Sequence, residues 1–542
     1  MPNLFAGGGA SILLFGTEVK KATFLPIRST LGILMDHTRR AGVLLHPTAF
    51  PGECGIGELG PEAYQFIDWM AEGGQTLWQV MPLGPTGYGD SPYQCTSAFA
   101  GNPMIISLEL LRDEGLLTDA DLAPLKKLPK NAVDFGAVIP LKNELLRKAY
   151  DKFEEVGDSD RYAQIAQFVQ RYHSWLEDFT LFTALKNQHD GKSWVEWPEP
   201  LRDRHTGDIE QAKVQLEHEI SYLTWLQFLF FEQWWKVRHY ASQKGIQIMG
   251  DIPLFVAHDS ADVWARRELF HLDGQGNPTV VAGVPPDYFS ATGQRWGNPL
   301  FAWDMHRAEG FHWWESRFRI TFDLVDWVRI DHFRGLEAYW EIPGSEETAV
   351  KGRWVNAPGV ELFGTLLGRI PEMKVVAEDL GVITREVVSM RKQFTFPGMR
   401  VLQFAWGSGP ENSFLPHNYE PDSVVYTGTH DNNTTVGWSK SEMTEEMGNQ
   451  IAEYIGHKPD SVTTELIRLA YASVAAIAVV PMQDWLEIGA EGRMNTPSQP
   501  SGNWSWRAEK SAFNDELASR MNDLAHRYAR FYFEPPYGDP AV

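Results

Sequence analysis

Eight short apolar runs, most of them ending in a polar residue or proline, constrain this chain more than any other feature. They are Val43–His46, Thr76–Pro82, Ile246–Pro253, Leu324–Asp331, Lys374–Leu380, Arg400–Ala405, Ser423–His430 and Ala476–Asp484. Each has strand length and enough Val, Ile, Leu or aromatic side chains to be buried on both faces. Helical patterns separate most of them, at Pro61–Glu72, Leu216–Lys244, Thr384–Lys392, Thr444–Tyr454 and Ser461–Ala472. Buried strands alternating with helices predict an α/β fold, a (β/α)8 TIM barrel. In that fold functional side chains gather at the C-terminal ends of the strands, and Asp251, Asp331, Glu378, His430 and Asp484 all fall there.

Such a barrel takes about 250 residues, and the chain has 542, so much of it must be inserted between barrel units. Residues 38–530 are assigned to the barrel. Within them 83–215 reads as a mainly helical insertion on the catalytic face, with helical patterns at Leu141–Glu155 and Tyr162–Lys186. Residues 254–303 mix Gly, Pro and aromatics and read as a substrate-covering loop insertion. Residues 1–37 are expected to be an extension outside the fold, and 531–542 a Pro-rich tail.

With 48 basic and 71 acidic residues the net charge is −23. That charge repels a phosphate backbone and an anionic membrane surface, so nucleic acid and membrane are excluded as partners and a neutral substrate fits. No apolar run reaches the roughly 18 residues of a membrane span. Cys54 and Cys95 form no CxxC motif, which points to a reducing compartment. The N-terminus lacks a positively charged segment before its apolar patch, against a secretory signal. A cytoplasmic location is expected, with a plastid transit peptide as the lesser alternative because the segment is not Ser-rich.

Gly55-Ile-Gly57-Glu-Leu-Gly60 is a literal GxGxxG. Eight residues, two of them proline, separate it from the run ending at His46, so the tight strand-to-helix turn of a dinucleotide site is missing. The 21 Trp are more suggestive, many of them beside Asp, Gly, Asn or Pro. They either fill a large core or offer flat faces to sugar rings. The carboxylates point to chemistry. Arg329 and Asp331 sit two apart in a strand and project the same way, so the cation would hold the carboxylate ionised, as a nucleophile requires. Glu378 ends the next run in mostly apolar surroundings that would raise its pKa for acid work. Asp431 follows the seventh run. Two carboxylates about 5–5.5 Å apart are the pair a retaining glycosidase uses. His46 and His332 flank strand ends, either as core residues or as sugar contacts.

Further motifs extend this pattern: Leu44-Leu-His-Pro-Thr48, the run from Pro82 through Tyr88 to Gln94, Gly250-Asp-Ile-Pro-Leu-Phe-Val-Ala257 and Val284-Pro-Pro-Asp-Tyr-Phe289. They continue in Gly293-Gln-Arg-Trp-Gly-Asn-Pro299, Arg329-Ile-Asp-His-Phe-Arg-Gly335, Ala377-Glu-Asp-Leu-Gly381, Thr427-Gly-Thr-His-Asp-Asn432 and Gly502-Asn-Trp-Ser-Trp-Arg507. Over about residues 40–510 the chain resembles the 4-α-glucanotransferases of glycoside hydrolase family 77, the amylomaltases or disproportionating enzymes. The resemblance implies Asp331 as nucleophile, Glu378 as general acid/base and Asp431 as the acid that binds sugar hydroxyls and stabilises the transition state. It further implies that Arg329, His430, Asp251, Tyr93, Gln294, Trp296 and Tyr288 line the subsites, and that Tyr88 is an outer aromatic platform. The implied partners are α-1,4-glucans and maltooligosaccharides, with glucose as acceptor. No cofactor and no metal are implied. Asn433 departs from the pattern, standing where a third acid is common, and so do Ser498 and Gln499.

The alternatives are a hydrolytic α-amylase and a non-catalytic glucan-binding scaffold. Against the first, only about 35 residues follow Arg507, too few for the β-sandwich that α-amylases append, again by resemblance. Against the second, a scaffold has no need of Asp331, Glu378 and Asp431 together. Because Met35 lies just before the first motif, a chain starting there is expected to keep its melting temperature and activity. A large drop in melting temperature on truncation would refute that expectation.

Overall fold

The computed structural model describes residues 38–286, 290–499 and 501–531. The N-terminal extension with Met35, Tyr288, and the tail beyond Phe531 lie outside the described residues. Twelve strands are present among the described residues. They are β1 (Arg40–Leu44), β2 (Leu77–Gln79), β3 (Gln247–Ile252), β4 (Val280–Val284), β5 (Gln294–Pro299), β6 (Trp327–Ile330), β7 (Ala338–Pro343), β8 (Arg353–Asn356), β9 (Val375–Ala377), β10 (Gly398–Val401), β11 (Ser423–Tyr426) and β12 (Ile477–Pro481).

Eight of them close a parallel barrel in the order β1-β2-β3-β6-β9-β10-β11-β12, and each of the eight apolar runs overlaps one of these strands, although β1 starts three residues before the run at Val43 and β10 two before the run at Arg400. Their residues are almost all buried, as strands enclosed on both faces require. Strand packing is tight enough that a Cβ on Gly42 of β1 would lie 2.6 Å from the carbonyl oxygen of Leu77 in β2. Register places the candidate acids. Asp251 of β3 pairs with Arg329 of β6, and Ile330 of β6 with Ala377 of β9. The ladder runs one step further, with Asp331 N–H donating to Ile252 C=O (2.9 Å) and Glu378 N–H to Ile330 C=O (3.1 Å). Asp331 and Glu378 therefore occupy the same rung at adjacent strand ends.

Between β2 and β3 the chain makes the long helices Phe135–Val156, Ser159–Gln188 and Glu217–Gln243. Asp134 caps the first by accepting from Ala137 N–H, and Gly157, in the left-handed region at φ 63°, ends it. Helix Glu217–Gln243 lies on the barrel wall, where Trp234 Nε1 donates to Leu324 C=O (2.8 Å). Helix Ser159–Gln188 packs on it through Phe168, Tyr172 and Trp175 around Phe231. Its far end is tied to the segment after β3 by Lys186–Asp259 (2.5 Å).

The stretch 254–303, expected as a loop, carries β4 and β5. These join β7 and β8, from the connection after β6, in a four-stranded antiparallel sheet of order β5-β4-β7-β8. β5 and β8 are rich in polar residues, and the short apolar β4 sits in a stretch of Gly, Pro and polar residues, so no period-two pattern marks the sheet in the sequence.

The seam between β1 and β12 is closed from its N-terminal side by Arg530. Its fully buried guanidinium donates to the carbonyls of Tyr471 (2.8 Å), Ala475 (2.9 Å), Ser473 (3.1 Å), Ala470 (3.2 Å), Arg40 (3.2 Å) and Ala476 (3.3 Å). Arg530→Met would leave these acceptors without a donor, and unpaired buried acceptors are expensive. The variant is expected to lose about 3 kcal/mol or more of stability in a denaturant titration. An unchanged midpoint would mean that water replaces the guanidinium.

Candidate active site

At the mouth of the barrel Arg329, buried in β6, bridges two carboxylates. Nη1 donates to Asp251 Oδ2 (2.5 Å), Nη2 to Asp331 Oδ1 (3.0 Å), and Nε faces Met399 Sδ of β10 at 3.3 Å. Asp251 also accepts from the Tyr93 hydroxyl (2.8 Å). Its Oδ1 is buried without a partner among the described residues. Tyr93 stacks on His430 with ring centroids 5.0 Å apart, and His430 Nε2 lies 3.4 Å from Asp431 Oδ2.

Glu378 is fixed by backbone donors. Its Oε2 accepts from His332 N–H (2.7 Å) and Oε1 from Leu380 N–H (2.8 Å). His332 adopts φ 53°, a left-handed conformation unusual outside glycine, which turns its N–H toward Glu378. Two recesses flank the cluster. One is lined by Tyr93, Asp251, Phe255 and Arg317, the other by His46, His430, Asn432 and Arg493.

Burial dominates the electrostatics. It lowers the pKa of His430 and pushes His46 and His332 down to about 3, so all three imidazoles are neutral at neutral pH. Burial raises Glu378, as its apolar surroundings suggested. It also pushes Asp331 up to about 8, against the pull of Arg329 and with help from Asp251, Glu378 and Asp431. The expectation that Arg329 alone settles the charge of Asp331 is thus corrected, because the arginine is shared with Asp251 and three other acids stand nearby.

The remaining expected residues are placed as follows. Gln294 and Trp296 lie on β5, joined by Trp296 Nε1 donating to Gln294 Oε1 (3.1 Å). The Trp296 ring meets His332 edge-on at 4.8 Å. Tyr88 is 78% exposed, in a turn at Tyr88–Asp90. Asp484 departs from the strand-end expectation. It is buried, and its oxygens accept from Thr427 Oγ1 (2.5 Å), Thr435 Oγ1 (2.7 Å) and Thr435 N–H (2.7 Å), so it is a structural clasp. Cys54 and Cys95 are free thiols raised by burial.

Sequence reasoning missed three supports. Asn495 Nδ2 donates to Asp431 Oδ1 (2.6 Å), Arg493 Nη2 to Asp431 C=O (2.9 Å), and Trp504, at φ 63°, packs on Tyr93 and His430. The last lies within the Gly502–Arg507 motif, which was the available signal. Among the described residues Glu199, Asp203 and His205 also come together, but Asp203 is ion-paired with Arg202 and Arg267.

A closed parallel barrel with three acids and stacked aromatics at its mouth has the architecture of a sugar-processing enzyme of the two-carboxylate kind. The model of glycoside hydrolase family 77, described as 4-alpha-glucanotransferase, matches residues 45–512. The chain is 48% identical over 503 residues to the 4-alpha-glucanotransferase of Thermus thermophilus, covering 92% of this chain and 100% of that one. It is 43% identical over 537 residues to the chloroplastic/amyloplastic 4-alpha-glucanotransferase of Solanum tuberosum, covering 97% and 92%. The structure of amylomaltase from Streptococcus agalactiae in complex with acarbose superposes with a TM-score of 0.88 at 36% identity, covering 91% of this chain and 100% of that one. The chain belongs to the glycoside hydrolase 77 family of 4-alpha-glucanotransferases.

A carboxyl with a raised folded-state pKa binds its proton more tightly when folded. The folded state therefore loses stability relative to the unfolded state as pH rises from about 4 toward about 8. Asp331→Asn lacks this titration, so its melting temperature should climb relative to wild type across that range. If wild type instead gained on the variant as pH rose, Arg329 would outweigh burial.

Proposed function

We propose that this chain is a retaining 4-α-glucanotransferase acting on α-1,4-glucans and maltooligosaccharides, with Asp331 as nucleophile and Glu378 as general acid/base. The observation that carries the reading is the shared rung of these two residues, with Arg329 on one and two backbone N–H groups on the other. Burial disfavours ionising both carboxyls, so the pair keeps a proton. Asp331, raised to about 8, holds a proton in much of the resting protein, and the reacting form is the one that carries the proton on Glu378, in which the Arg329 contact stabilises the Asp331 carboxylate. An Asp331 oxygen attacks C1 of the donor sugar as the bond to the leaving O4 breaks, and Glu378 protonates that O4. The 4-hydroxyl of an acceptor glucan or glucose then attacks C1, returns its proton to Glu378 and releases Asp331.

Asp431 binds sugar hydroxyls and stabilises the transition state. Asp251, Tyr93, His430 and Arg329 line the donor and acceptor subsites, and the unpartnered Asp251 Oδ1 is an acceptor for a sugar hydroxyl. Gln294 and Trp296 complete the donor and acceptor subsites, and Tyr88 is an outer platform. The chemistry calls for no cofactor or metal. The free thiols support a cytoplasmic location, and among the described residues no helix is long and apolar enough to cross a membrane. A plastid is the second reading, prompted by the Solanum tuberosum relative's name.

Incubation with maltotriose is expected to give glucose and a ladder of longer glucans. Short sugars alone would mean hydrolysis, and no change a scaffold. Asp331→Asn and Glu378→Gln are each expected to lower turnover at least about a hundredfold without unfolding. An activated donor that needs no leaving-group proton should still esterify Asp331 in Glu378→Gln, visible by mass. Trp296→Ala is expected to raise the share of ester lost to water, read as reducing ends gained against glucose released. Near-wild-type transfer in either carboxylate variant would refute the assigned roles.

A further inference from the structure

Of the 21 tryptophans, all among the described residues, only Trp354 is exposed, at 41%. It lies on β8, the edge strand of the four-stranded sheet, directly opposite Trp340 of β7, with ring centroids 5.3 Å apart. The Arg334 guanidinium sits 3.9 Å from its ring centroid. Arg334 is held in turn, with Nη1 donating to Val382 C=O (2.7 Å), and the Val382 side chain is 71% exposed. The indole is therefore held by its neighbours, with its orientation fixed before any ligand arrives.

Its place in the chain sets it beside the mouth. Arg334 belongs to the turn Phe333–Leu336 just beyond Asp331 and His332, and Val382 follows Glu378 by one short loop. Exposed Asn356 neighbours Trp354 on β8 and adds a hydrogen-bonding group. A flat indole, an exposed valine and flanking polar groups suit the C–H face and hydroxyls of a sugar ring. A protein partner needs about 800 Å² of surface, far more than this patch offers. A polyanion is opposed by the net charge of −23.

We propose that Trp354, with Arg334 and Val382, is an outer binding platform for the part of a long α-1,4-glucan that extends beyond the barrel mouth. The platform rests on the glucan-transfer reading for its occupant. On this reading the platform holds sugars that follow those at the carboxylates, so a polymer meets it and a trisaccharide bound at the carboxylates leaves it empty.

The test compares soluble amylose with maltotriose as substrates for wild type, Trp354→Ala and Trp354→Tyr. For Trp354→Ala the KM for amylose should rise about fivefold, the loss of one aromatic stacking contact. The kcat and KM for maltotriose should stay unchanged, and Trp354→Tyr should restore most of the amylose KM. Equal effects on both substrates, or none on either, would overturn the platform. Should Trp354→Ala melt early, Val382→Asp carries the same comparison, because its exposed side chain contributes little to packing. Maltoheptaose binding to Glu378→Gln, followed by tryptophan fluorescence with and without Trp354→Tyr, tests the platform without turnover. If wild type transfers no glucan, the functional reading falls, and that binding measurement still decides the platform.

Discussion

The site depends on one buried cation. Arg329 is 3% exposed and carries its charge into the barrel between Asp251 and Asp331. A guanidinium so far from water is costly unless its charge is matched and its donors are used. Two carboxylates and a methionine sulfur meet that demand, and they come from β3, from the end of β6 and from β10. One side chain thus connects strands around the mouth. Tyr93 continues the connection through its hydroxyl to Asp251, then through ring contact to His430, beside Asp431. Removing Arg329 would leave two acids facing each other without a counter-charge, so its loss would disturb the site well beyond one contact.

The acids at the strand ends show why position alone does not mark function. Asp484 and Asp251 are both buried near the C-terminal end of a barrel strand. Three donors from Thr427 and Thr435 occupy the oxygens of Asp484, which leaves it inert and joins the segment after β12 to the loop after β11. Asp251 spends Oδ2 on Arg329 and Tyr93 and keeps Oδ1 unpartnered. An unsatisfied buried acceptor is unfavourable in a resting protein, and a sugar hydroxyl is the group that would satisfy it. The same contrast separates Glu378, whose two oxygens each hold one backbone N–H, from the ion-paired Asp203 of the outer surface.

The barrel was legible because burial on both faces writes a continuous apolar signature, which each of the eight strands carries. The acids were legible because strand geometry places Arg329 and Asp331 on one side, and the register then sets Glu378 on the same rung. The second sheet was not legible. β4 pairs with β7 across some sixty residues, and the apolar residues of these short strands carry no local sign that they join a sheet outside the barrel. Asn495 and Arg493 act on a loop that is remote in sequence, and nothing local announces such support, whereas Trp504 lies in a motif whose contacts with Tyr93 and His430 only the fold reveals. The raised pKa of Asp331 was missed for a similar reason, since it comes from several acids gathered by the fold and not from its neighbour two residues away.

The unforeseen sheet also bears on how the site would keep water from the proposed ester. β5 carries Gln294 and Trp296, and β7 begins shortly after the turn that follows Asp331. Because β4 pairs with both β5 and β7, the cover and that turn form one hydrogen-bonded unit. Trp296 meets His332 edge-on at 4.8 Å, and the N–H of His332 holds Glu378 at 2.7 Å. One residue in a strained backbone conformation therefore lies between the cover and the proposed acid/base. If Trp296 binds sugar as proposed, a sugar pressing on it would press on the group that orients Glu378, whereas water, too small to load the indole, would leave that contact as it is.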